Sequence, residues 1–575
     1  MSDTLKVSIG QWSDQGRKST QQDFHGACVP VAPQLGAKGV ALALADGISS
    51  SEVSQEASQH AVGGFLADYY CTPDAWSVKT SVERVVAATN SWLHAQTQRS
   101  PFRYEQDRGY VCTFSALVLK SRTAHVFHVG DTRVYRLCGQ ALEQLTTDHR
   151  VHVGEGRFLL GRALGVDPHV DIDYIAVPVS QGDVFLLTTD GVHEHMNARF
   201  VAAAVAQHAD ALDVAAHAIV DEALRCGSDD NLTAQILRID ALPEHEADEL
   251  VQQLGTLPLP PQLEPRMAFD GYTILRELHI SHRSHIHLAR EDATGALVAI
   301  KTPSMDLRGD PAYLERLLLE EWVARRLDSP HVLKPHAAAG ARRFLYVASE
   351  YIEGRTLAQW MRDHPKPRID ALRTIIEQIA RGLQAFHRLE MLHQDLRPEN
   401  VMIDANGVVK IIDFGAVHVA GLAEMTSRER GDAILGTEQY TAPEYFLGEG
   451  GTPRSDQFSL GVIAYQMLCG RLPYGARVAH LRSRAELAKL RYDSALEAQR
   501  EIPAWIDGVL RKAVHPNPLK RYEALSEFVH ELRHPSREFL SRSRPPLLER
   551  NPVGFWKGLS LMLLVAVLAL LATRK

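Results

Sequence analysis

The sequence predicts a multidomain α+β chain, with two mixed domains followed by one apolar helix. Two stretches of strand-like and helix-like patterning, residues 5–240 and 270–534, are separated by a Pro- and Glu-rich segment at 241–269. The prolines of that segment disfavour a packed helix and predict a semi-rigid extended linker. A basic segment at 535–552 and an apolar run at 553–572 follow the second stretch. No internal repeat relates the two domains.

Composition limits the classes of protein to consider. The 575 residues include 62 Lys and Arg against 70 Asp and Glu, a net charge of −8, which argues against a nucleic-acid partner. With 45% hydrophobic and 23% charged residues the chain is typical of globular proteins, which excludes a disordered or polytopic membrane protein. The six cysteines lack metal-site or disulfide spacing and favour a reducing, cytoplasmic compartment.

The apolar run at 553–572 carries a single charge, Lys557. A helix of that length spans about 30 Å, the hydrocarbon thickness of a bilayer. The run has no polar face, so we expect a single-pass transmembrane helix; an amphipathic or core helix is the alternative. Basic residues before it, and the lack of a secretory signal at the N-terminus, predict an anchor in the cytoplasmic (inner) membrane with both domains in the cytoplasm.

Acidic turns follow the apolar runs of the first domain. Three runs, at 39–47, 124–133 and 183–191, end in or run into Asp-containing turns, and a fourth acidic cluster, at 227–231, leads directly into a strand-like segment. A single Asp-Gly after a strand is most often a hairpin turn. Several carboxylates brought to strand ends are instead typical of an oxygen-ligand site for Mg²⁺ or Mn²⁺.

The ordered motifs ADG (45–47), VGDTR (129–133), LTTDH (145–149), RALG (162–165), TTDG (188–191) and SDDN (228–231) carry a family resemblance. Over about residues 5–240 the sequence resembles the metal-dependent PP2C-type serine/threonine phosphatases. The resemblance implies an α-β-β-α sandwich with a centre of two or three Mn²⁺ or Mg²⁺ ions, where a metal-activated water attacks phosphorus. The ligands it implies are Asp23, Asp46, the Gly47 carbonyl, Asp190 and Asp230, with Asp229 as the alternate to Asp230 and Asp131 for a third ion.

One position departs from that family. Lys18 stands where the family usually has a phosphate-binding arginine, and Arg17 lies beside it. Lysine binds phosphate as a point charge, without the two-pronged hydrogen bonding of arginine. The sequence leaves open which of the two residues binds phosphate.

The second domain contains VAIK (298–301), HQDLRPEN (393–400), DFG (413–415) and APE (442–444) in that order. Over about residues 270–534 it resembles the eukaryotic-type protein kinases. The resemblance implies a small β-rich lobe and a larger helical lobe, joined near residues 349–351, with ATP and Mg²⁺ bound between them.

The kinase resemblance also implies roles for single residues. Lys301 would hold the ATP phosphates and Glu320 would brace it, with Glu321 as the alternate. Asp395 would accept the proton of the substrate hydroxyl. The remaining implied residues are Asn400 and Asp413 for Mg²⁺, Glu350 and Tyr351 at the ATP site, Thr437 for substrate docking, and Glu444 with Arg521 as a structural ion pair.

The phosphate-binding loop of the second domain departs from the kinase pattern. His279, Ser281 and Ser284 stand where glycines usually allow backbone amides to approach phosphate. Gln394 replaces the arginine before the catalytic aspartate, so activity should depend less on a phosphorylated activation segment, and Arg397 replaces a lysine. Thr426 and Ser427 are candidate phosphorylation sites in that segment.

These features together predict a membrane-tethered, bifunctional signalling enzyme. It would phosphorylate Ser and Thr of proteins from ATP and hydrolyse the products, with its own kinase half among the substrates. The alternative is a tethered phosphatase whose kinase-like half is a nucleotide-binding pseudokinase or scaffold, and a third, less favoured one is an adaptor protein.

Overall fold

The computed structural model describes residues 5–152, 158–243, 257–280, 284–304, 307, 310–337, 342–423, 439–497, 502–536, 539–540 and 552–572. In the first domain the strands are β1 (Lys6–Asp14), β2 (Asp23–Cys28), β3 (Val40–Asp46), β4 (Phe114–Lys120), β5 (Thr123–Val129), β6 (Arg133–Cys138), β7 (Ala141–Gln144), β8 (Arg150–His152), β9 (Phe158–Leu160), β10 (Asp173–Pro178), β11 (Val184–Thr188) and β12 (Leu232–Ala241). The helices are α1 (Gln34–Lys38), α2 (Ser54–Tyr69), α3 (Val78–Arg99), α4 (Asp190–His193), α5 (Ala198–Gln207) and α6 (Leu212–Arg225).

Two five-stranded antiparallel sheets form the first domain, in the orders β1-β12-β11-β6-β7 and β10-β5-β4-β3-β2. Strand β3 shows how they pack, because successive side chains of a strand point to opposite faces. Ala41, Ala43 and Ala45 pack with α2 and α3, whereas Leu42 and Leu44 face the other sheet. Helix α6 covers the outer face of the first sheet. The predicted α-β-β-α sandwich is confirmed.

The second domain has two lobes. Its strands are β13 (Ala268–Phe269), β14 (Tyr272–Ile280), β15 (Ser284–Glu291), β16 (Leu297–Pro303), β17 (Val347–Glu350), β18 (Gly354–Thr356), β19 (Met391–Leu392), β20 (Val401–Asp404), β21 (Val409–Ile411) and β22 (His418–Val419). Its helices are α7 (Pro311–Arg326), α8 (Leu357–Asp363), α9 (Ile369–Arg388), α10 (Ala420–Ala423), α11 (Pro443–Phe446), α12 (Pro453–Cys469), α13 (Arg484–Leu487), α14 (Ala504–Ala513) and α15 (Leu525–Arg533).

Strands β13 to β17 form the small-lobe sheet in sequence order, and α7 lies against β17. The large lobe is built around α12, which is buried along most of its length and contacts α9 and α14. Pro453 lies in its first turn and Gly470, in the left-handed conformation, ends it. The ATP-site residues therefore lie between a twisted sheet and a packed helical core, as the bilobal fold requires.

The segment between the domains packs against the small lobe in its C-terminal part. The amide of Leu345 donates to the carbonyl of Pro258 at 3.0 Å, and Leu263 is buried in the small-lobe core with Phe269 and Tyr346. The apolar Leu263 explains this attachment, since its burial removes hydrocarbon from water.

Residues 552–572 form one further helix, α16 (Pro552–Ala572). Among the ranges that the structure describes, no helix meets the combined length and hydropathy needed to cross a bilayer.

Candidate active sites

The acidic residues of the first domain converge at one end of the sandwich. Asp23 begins β2 and Asp46 ends β3, and the antiparallel register places the two directly opposite each other. Asp190 follows β11 and begins α4, and Asp230 lies just before β12. Strands β11 and β12 are neighbours in the other sheet, the one that does not contain β2 and β3. Carboxylates far apart in sequence therefore share one cleft between the sheets.

Asp23 is held in a fixed orientation. Its Oδ2 accepts hydrogen bonds from Thr233 Oγ1 at 2.7 Å and from Thr189 Oγ1 at 2.9 Å. Its Oδ1 is buried and has no donor in the described part of the chain. Burial raises the pKa of Asp23 to about 6, although the threonine hydrogen bonds oppose the shift. One carboxylate oxygen is thus oriented and the other is free to bind a cation.

The neighbouring carboxylates repel one another. Burial, followed by the charges of Asp23 and Asp190, raises the pKa of Asp46 well above its usual range. Burial and the charges of Asp131 and Asp230 raise the pKa of Asp190 to about 7, and Asp190 Oδ1 is buried without a partner within the described ranges. A divalent cation would relieve both the repulsion and the unmet hydrogen-bonding capacity, so these residues fit a hard-metal site.

Among the described residues no group of three or more His, Cys, Asp or Glu side chains is arranged so that it could hold a metal ion. Hard cations such as Mg²⁺ keep several waters and bind only one or two carboxylates each. Gly47 lies where an added Cβ would be 2.7 Å from the Ser54 side chain, so this position excludes larger residues.

Lys18 lies among the carboxylates, and Arg17 does not. Lys18 Nζ is 3.1 Å from Asp230 Oδ1 and 2.9 Å from Ser49 Oγ, whereas Arg17 is exposed. The structure therefore directs Lys18, and not Arg17, into the cleft. Asp229 is exposed beside Asp230.

Asp131, the expected ligand of a third ion, is bound by an arginine. Arg150 Nε donates to Asp131 Oδ2 at 2.9 Å, and the same guanidinium lies 2.7 Å from Glu194 and 3.7 Å from Asp190. Burial raises the pKa of Asp131, and the adjacent Arg150 opposes that shift. Arg150 thus supplies positive charge next to the position of the expected third ion.

In the second domain, Lys301 on β16 contacts an acidic residue of α7. Lys301 Nζ lies 2.7 Å from Glu320 Oε2 and 3.6 Å from Asp413 Oδ1. Glu321, the alternate, instead pairs with Arg325 and Arg342 at 2.6 Å. Burial acts to lower the pKa of Lys301, but the charges of Asp413 and Glu320 outweigh it and raise that pKa.

The catalytic-loop residues lie together below this pair. Asn400 Nδ2 donates to Asp395 Oδ2 at 3.1 Å and to the Asp395 carbonyl at 2.9 Å. Asp413 accepts a hydrogen bond from the amide of Gly415 at 3.1 Å. Burial acts to raise the pKa of Asp413, but Lys301, the Gly415 amide and His393 together outweigh it and lower that pKa, so the carboxylate stays charged. Asn400 and Asp413 can both present oxygens to Mg²⁺.

Strands β14 and β15 pair on either side of the expected phosphate-binding loop, and two of the departures from the glycine pattern lie on these strands. His279 is exposed and faces Ile286 in the register, and Ser284 is buried. Glu350 pairs through its side chain with Lys410 at 2.7 Å, and Tyr351 is half-buried. Ser281, Thr426, Ser427 and Thr437 lie outside the described residues.

Comparison with known families accounts for both halves of the chain. The protein kinase domain family matches residues 272–533, and the protein phosphatase 2C family matches residues 13–227. The chain joins a protein phosphatase 2C domain to a protein kinase domain.

Curated relatives match the kinase domain. The chain is 33% identical over 196 residues to the serine/threonine-protein kinase PknA of Corynebacterium glutamicum, covering 33% of this chain and 41% of that protein. It is 31% identical over 270 residues to PknB of Mycobacterium leprae, covering 46% and 42%, and 27% identical over 272 residues to PrkC of Bacillus subtilis, covering 46% and 40%. The chain thus spans about two fifths of the length of these relatives.

Solved structures resemble each half. The kinase domain of Mycobacterium tuberculosis PknI matches at 24% identity and a TM-score of 0.37, covering 48% of this chain and 100% of that one. The serine/threonine phosphatase PstP/Ppp of the same organism matches at 23% identity and a TM-score of 0.35, covering 41% and 100%.

Sequence reasoning missed several residues that position the two sites. In the kinase domain, Asp456 on α12 is fully buried and accepts the amides of His393 and Gln394 at 3.0 Å, and it also pairs with His387 at 2.8 Å. Asp456 lies in a polar first turn, beside Ser455 and Gln457, so the sequence around it carries no clear signal of its burial. The ion pair of Glu444 and Arg521, by contrast, was expected from the sequence, and it lies buried in the same lobe at 2.7 Å.

In the phosphatase domain the missed residues are Thr189, Thr233, Asn231 and Arg150. Thr189 and Asn231 lie inside the quoted TTDG and SDDN motifs, so the motifs themselves carried the signal. Asn231 Oδ1 accepts the amide of Gln22, next to Asp23, at 2.8 Å. Thr233 and Arg150 have no such local signal, because their partners lie far away in sequence.

Proposed function

We propose that the protein phosphorylates serine and threonine residues of proteins from ATP and also hydrolyses phosphoserine and phosphothreonine. The observation that carries the kinase activity is the assembled contact of Lys301 with Glu320 and Asp413, at 2.7 and 3.6 Å. The cluster of buried carboxylates around Asp23 and Asp46 carries the phosphatase activity. Protein substrates are expected, the kinase half of the chain itself among them.

Phosphoryl transfer depends mainly on positioning and charge neutralisation. Lys301, fixed by Glu320, places a positive charge at the ATP phosphates. Asp395, oriented by Asn400, accepts the proton of the attacking hydroxyl. Mg²⁺ held by Asn400 and Asp413 would neutralise phosphate charge when bound.

Phosphoester hydrolysis needs a nucleophilic water and stabilisation of the developing charge. Mn²⁺ or Mg²⁺ held by Asp23, Asp46, the Gly47 carbonyl, Asp190 and Asp230 would lower the pKa of bound water and bind phosphate oxygens. Thr189 and Thr233 hold Asp23 in place for such ligation. Lys18 attracts the phosphate group as a point charge.

A second candidate follows from the hairpin of β14 and β15. Without glycines at His279 and Ser284, the backbone has less freedom to approach the phosphates of ATP. In this alternative the kinase half binds nucleotide without transferring phosphate, and the protein acts as a phosphatase with a pseudokinase or scaffold domain. The presence of Lys301, Asp395 and Asp413 argues against this pseudokinase alternative.

Phosphate transfer from labelled ATP distinguishes the two candidates. The chain should carry Asp46→Ala and Asp190→Ala, since an active phosphatase would remove the label. We expect label to accumulate with Asp395 present and to be absent in the matched variant that also carries Asp395→Ala. Binding of ATP without transfer would support the pseudokinase instead. Release of phosphate from a phosphopeptide with Mn²⁺, abolished by Asp46→Ala, tests the phosphatase half.

We further propose, from the sequence of residues 553–572 and not from the described helix, that this apolar run anchors the protein as a single-pass segment in the cytoplasmic membrane, with both catalytic domains in the cytoplasm. Support comes from the apolar sequence at 553–572, and Leu561, Met562 and Leu563 are also exposed. Such an apolar surface is unstable in water. Deletion of residues 553–572 should move the protein from the membrane fraction to the supernatant. Retention of the shortened chain in the membrane fraction would refute the anchor.

A further inference from the structure

The two enzymatic domains contact each other through a defined surface. On the phosphatase domain this docking surface consists of residues 74–80, which lead into α3, and Lys120 at the end of β4. On the kinase domain it consists of Arg388 and Glu390, before the catalytic loop, Gly421 in α10, at the start of the activation segment, and Arg326 at the end of α7, which lies 3.5 Å from Asp74.

Glu390 forms a two-pronged contact. Its Oε2 accepts the amide of Ser77 at 2.7 Å and its Oε1 accepts Thr80 Oγ1 at 2.6 Å. Both donors lie at the start of α3, where backbone amides lack partners within the helix and the helix dipole favours a negative charge. Trp76 Nε1 donates to the carbonyl of Arg388 at 2.8 Å.

Gly421 is bound on both of its backbone polar groups. Its amide donates to the carbonyl of Ala75 at 3.0 Å, and its carbonyl accepts Lys120 Nζ at 2.7 Å. A Cβ at this position would lie 2.5 Å from the Asp74 carbonyl oxygen and 2.8 Å from that of Trp76. These clashing atoms all belong to the phosphatase domain, so docking is what requires glycine here.

The docking surface is as deeply buried as a protein interior. Ala75 is 1% exposed and packs in the hydrophobic core of the kinase large lobe, and Lys120 is also 1% exposed. Lysine is almost never fully buried unless its charge is paired or hydrogen-bonded. Burial of Lys120 against the Gly421 carbonyl therefore indicates a close-packed contact between the domains.

The docking surface is close to the kinase centre and far from the phosphatase centre. Glu390 leads into β19, which pairs with β22 just before Gly421, and Asp395 follows directly after β19. Lys120 lies at the end of β4 opposite to Phe114, which is next to the metal-site end of β3. At about 3.4 Å per residue, β4 separates Lys120 from the metal site by about 20 Å.

We propose that the phosphatase domain is a positioning element for the kinase, and that the docking surface holds the catalytic loop and the start of the activation segment in their working arrangement. In the docked structure Lys301, Glu320 and Asp413 are already in contact. This inference rests on the proposed kinase activity. It makes Gly421 and Lys120 positioning residues, although neither touches substrate.

The test uses full-length chains in the Asp46→Ala background. Gly421→Ala inserts a methyl group into the interface, and Lys120→Met removes the contact from the phosphatase side. Gly508→Ala is the matched control, since Gly508 is also a helical glycine of the large lobe but has open space around its Cβ position. Hydrolysis of p-nitrophenyl phosphate by the same variants, without Asp46→Ala, shows that the phosphatase domain stays folded.

Two readouts decide the outcome. We expect Gly421→Ala and Lys120→Met to lower the kcat of phosphate transfer about tenfold with little change in KM for ATP, since small misplacement of catalytic groups is costly. Hydrogen exchange of residues 416–423 should be slow in the parent and Gly508→Ala chains and fast in the other two. Fast exchange in the parent would show that the surface does not form. Fast exchange in the Gly421→Ala and Lys120→Met chains, with the kcat of phosphate transfer unchanged or increased, would refute the positioning role of the docking surface.

A parent chain that transfers no phosphate would refute the proposed kinase activity. The exchange measurement would then still test the docking surface separately from the kinase activity. Loss of exchange protection of residues 416–423 in Gly421→Ala would support the docking surface, and unchanged protection would overturn it.

Discussion

Asp23 shows how a single buried carboxylate links metal binding to stability. It is 4% exposed, one of its oxygens is bound by two threonines and the other is buried without a donor in the described part of the chain. Its pKa is raised from 3.8 to about 6, and that of Asp190 to about 7. The folded, metal-free state therefore holds protons that the unfolded chain has already released.

A loss of stability with rising pH follows from these shifts. In the absence of metal the free energy of unfolding should decrease as pH rises from about 4 to about 7, and Asp23 alone contributes about 3 kcal/mol to that decrease. Calorimetric melting of the chain in EDTA, at pH 5 and pH 8, measures the effect. Asp23→Asn should reduce the difference and Mn²⁺ should remove it. A melting temperature of the phosphatase domain equal at both pH values in EDTA would contradict this prediction.

At the scale of elements, helix α12 organises the kinase large lobe. It carries Asp456, which accepts the amides of His393 and Gln394 from the catalytic loop. Gln394 has a φ of 64°, a left-handed conformation that residues other than glycine rarely adopt. The buried helix α12 therefore holds the strained catalytic loop in place through the hydrogen bonds that Asp456 accepts. Burial acts to raise the pKa of Asp456, but His387 and His393 together outweigh it and lower that pKa, so the acceptor is charged.

Removal of this acceptor should disrupt both the loop and the lobe. We predict that Asp456→Ala lowers the free energy of unfolding of the kinase domain by about 3–5 kcal/mol, because two amides and a histidine lose a buried charged partner. Phosphate transfer should fall by more than tenfold, as expected for misplaced catalytic groups. Denaturant unfolding and transfer assays measure the two effects. Asp456→Asn, which keeps an acceptor of the same shape, should lose less, and equal losses in both variants would contradict the role of the hydrogen bonds.

At the scale of the whole molecule, the phosphatase metal site is remote from the docking surface. The docking surface lies beside the kinase catalytic loop, whereas β4 separates it from the phosphatase metal site by about 20 Å. A docked phosphatase domain therefore keeps its metal site away from the part of the kinase domain that it contacts. Phosphate on the kinase half is then more accessible to the phosphatase of a second molecule.

Self-dephosphorylation should accordingly proceed between molecules. A labelled chain with Asp46→Ala, which cannot remove its own phosphate, should lose label when mixed with an unlabelled Asp395→Ala chain. For a labelled chain with both sites intact, purified free of ATP, the rate constant of label loss should rise in proportion to protein concentration. A rate constant independent of concentration would show that the phosphatase reaches its own kinase half.

The amino-acid sequence by itself determined the two folds and most of the candidate residues. Strand β3 is a continuous apolar run and α12 is apolar over most of its length, and a run of this kind predicts an element that is buried on all sides, as both are. The order of motifs such as TTDG and HQDLRPEN located Asp190 and Asp395, since each motif is a local turn with its functional group at a strand end. The membrane anchor at 553–572 remains a prediction, as do the roles of Thr426 and Ser427 in phosphorylation and of Thr437 in substrate docking.

Only the tertiary structure decided between alternatives that sequence left open. Adjacent residues of a helix point about 100° apart, so the packing of α7 alone directs Glu320 to Lys301 and Glu321 to Arg342. Lys18, rather than Arg17, enters the cleft because Asp230 lies across it. The docking surface joins Lys120 to Gly421, two residues far apart in the chain. Such contacts depend on how whole elements pack in space, and no local pattern of residues encodes them.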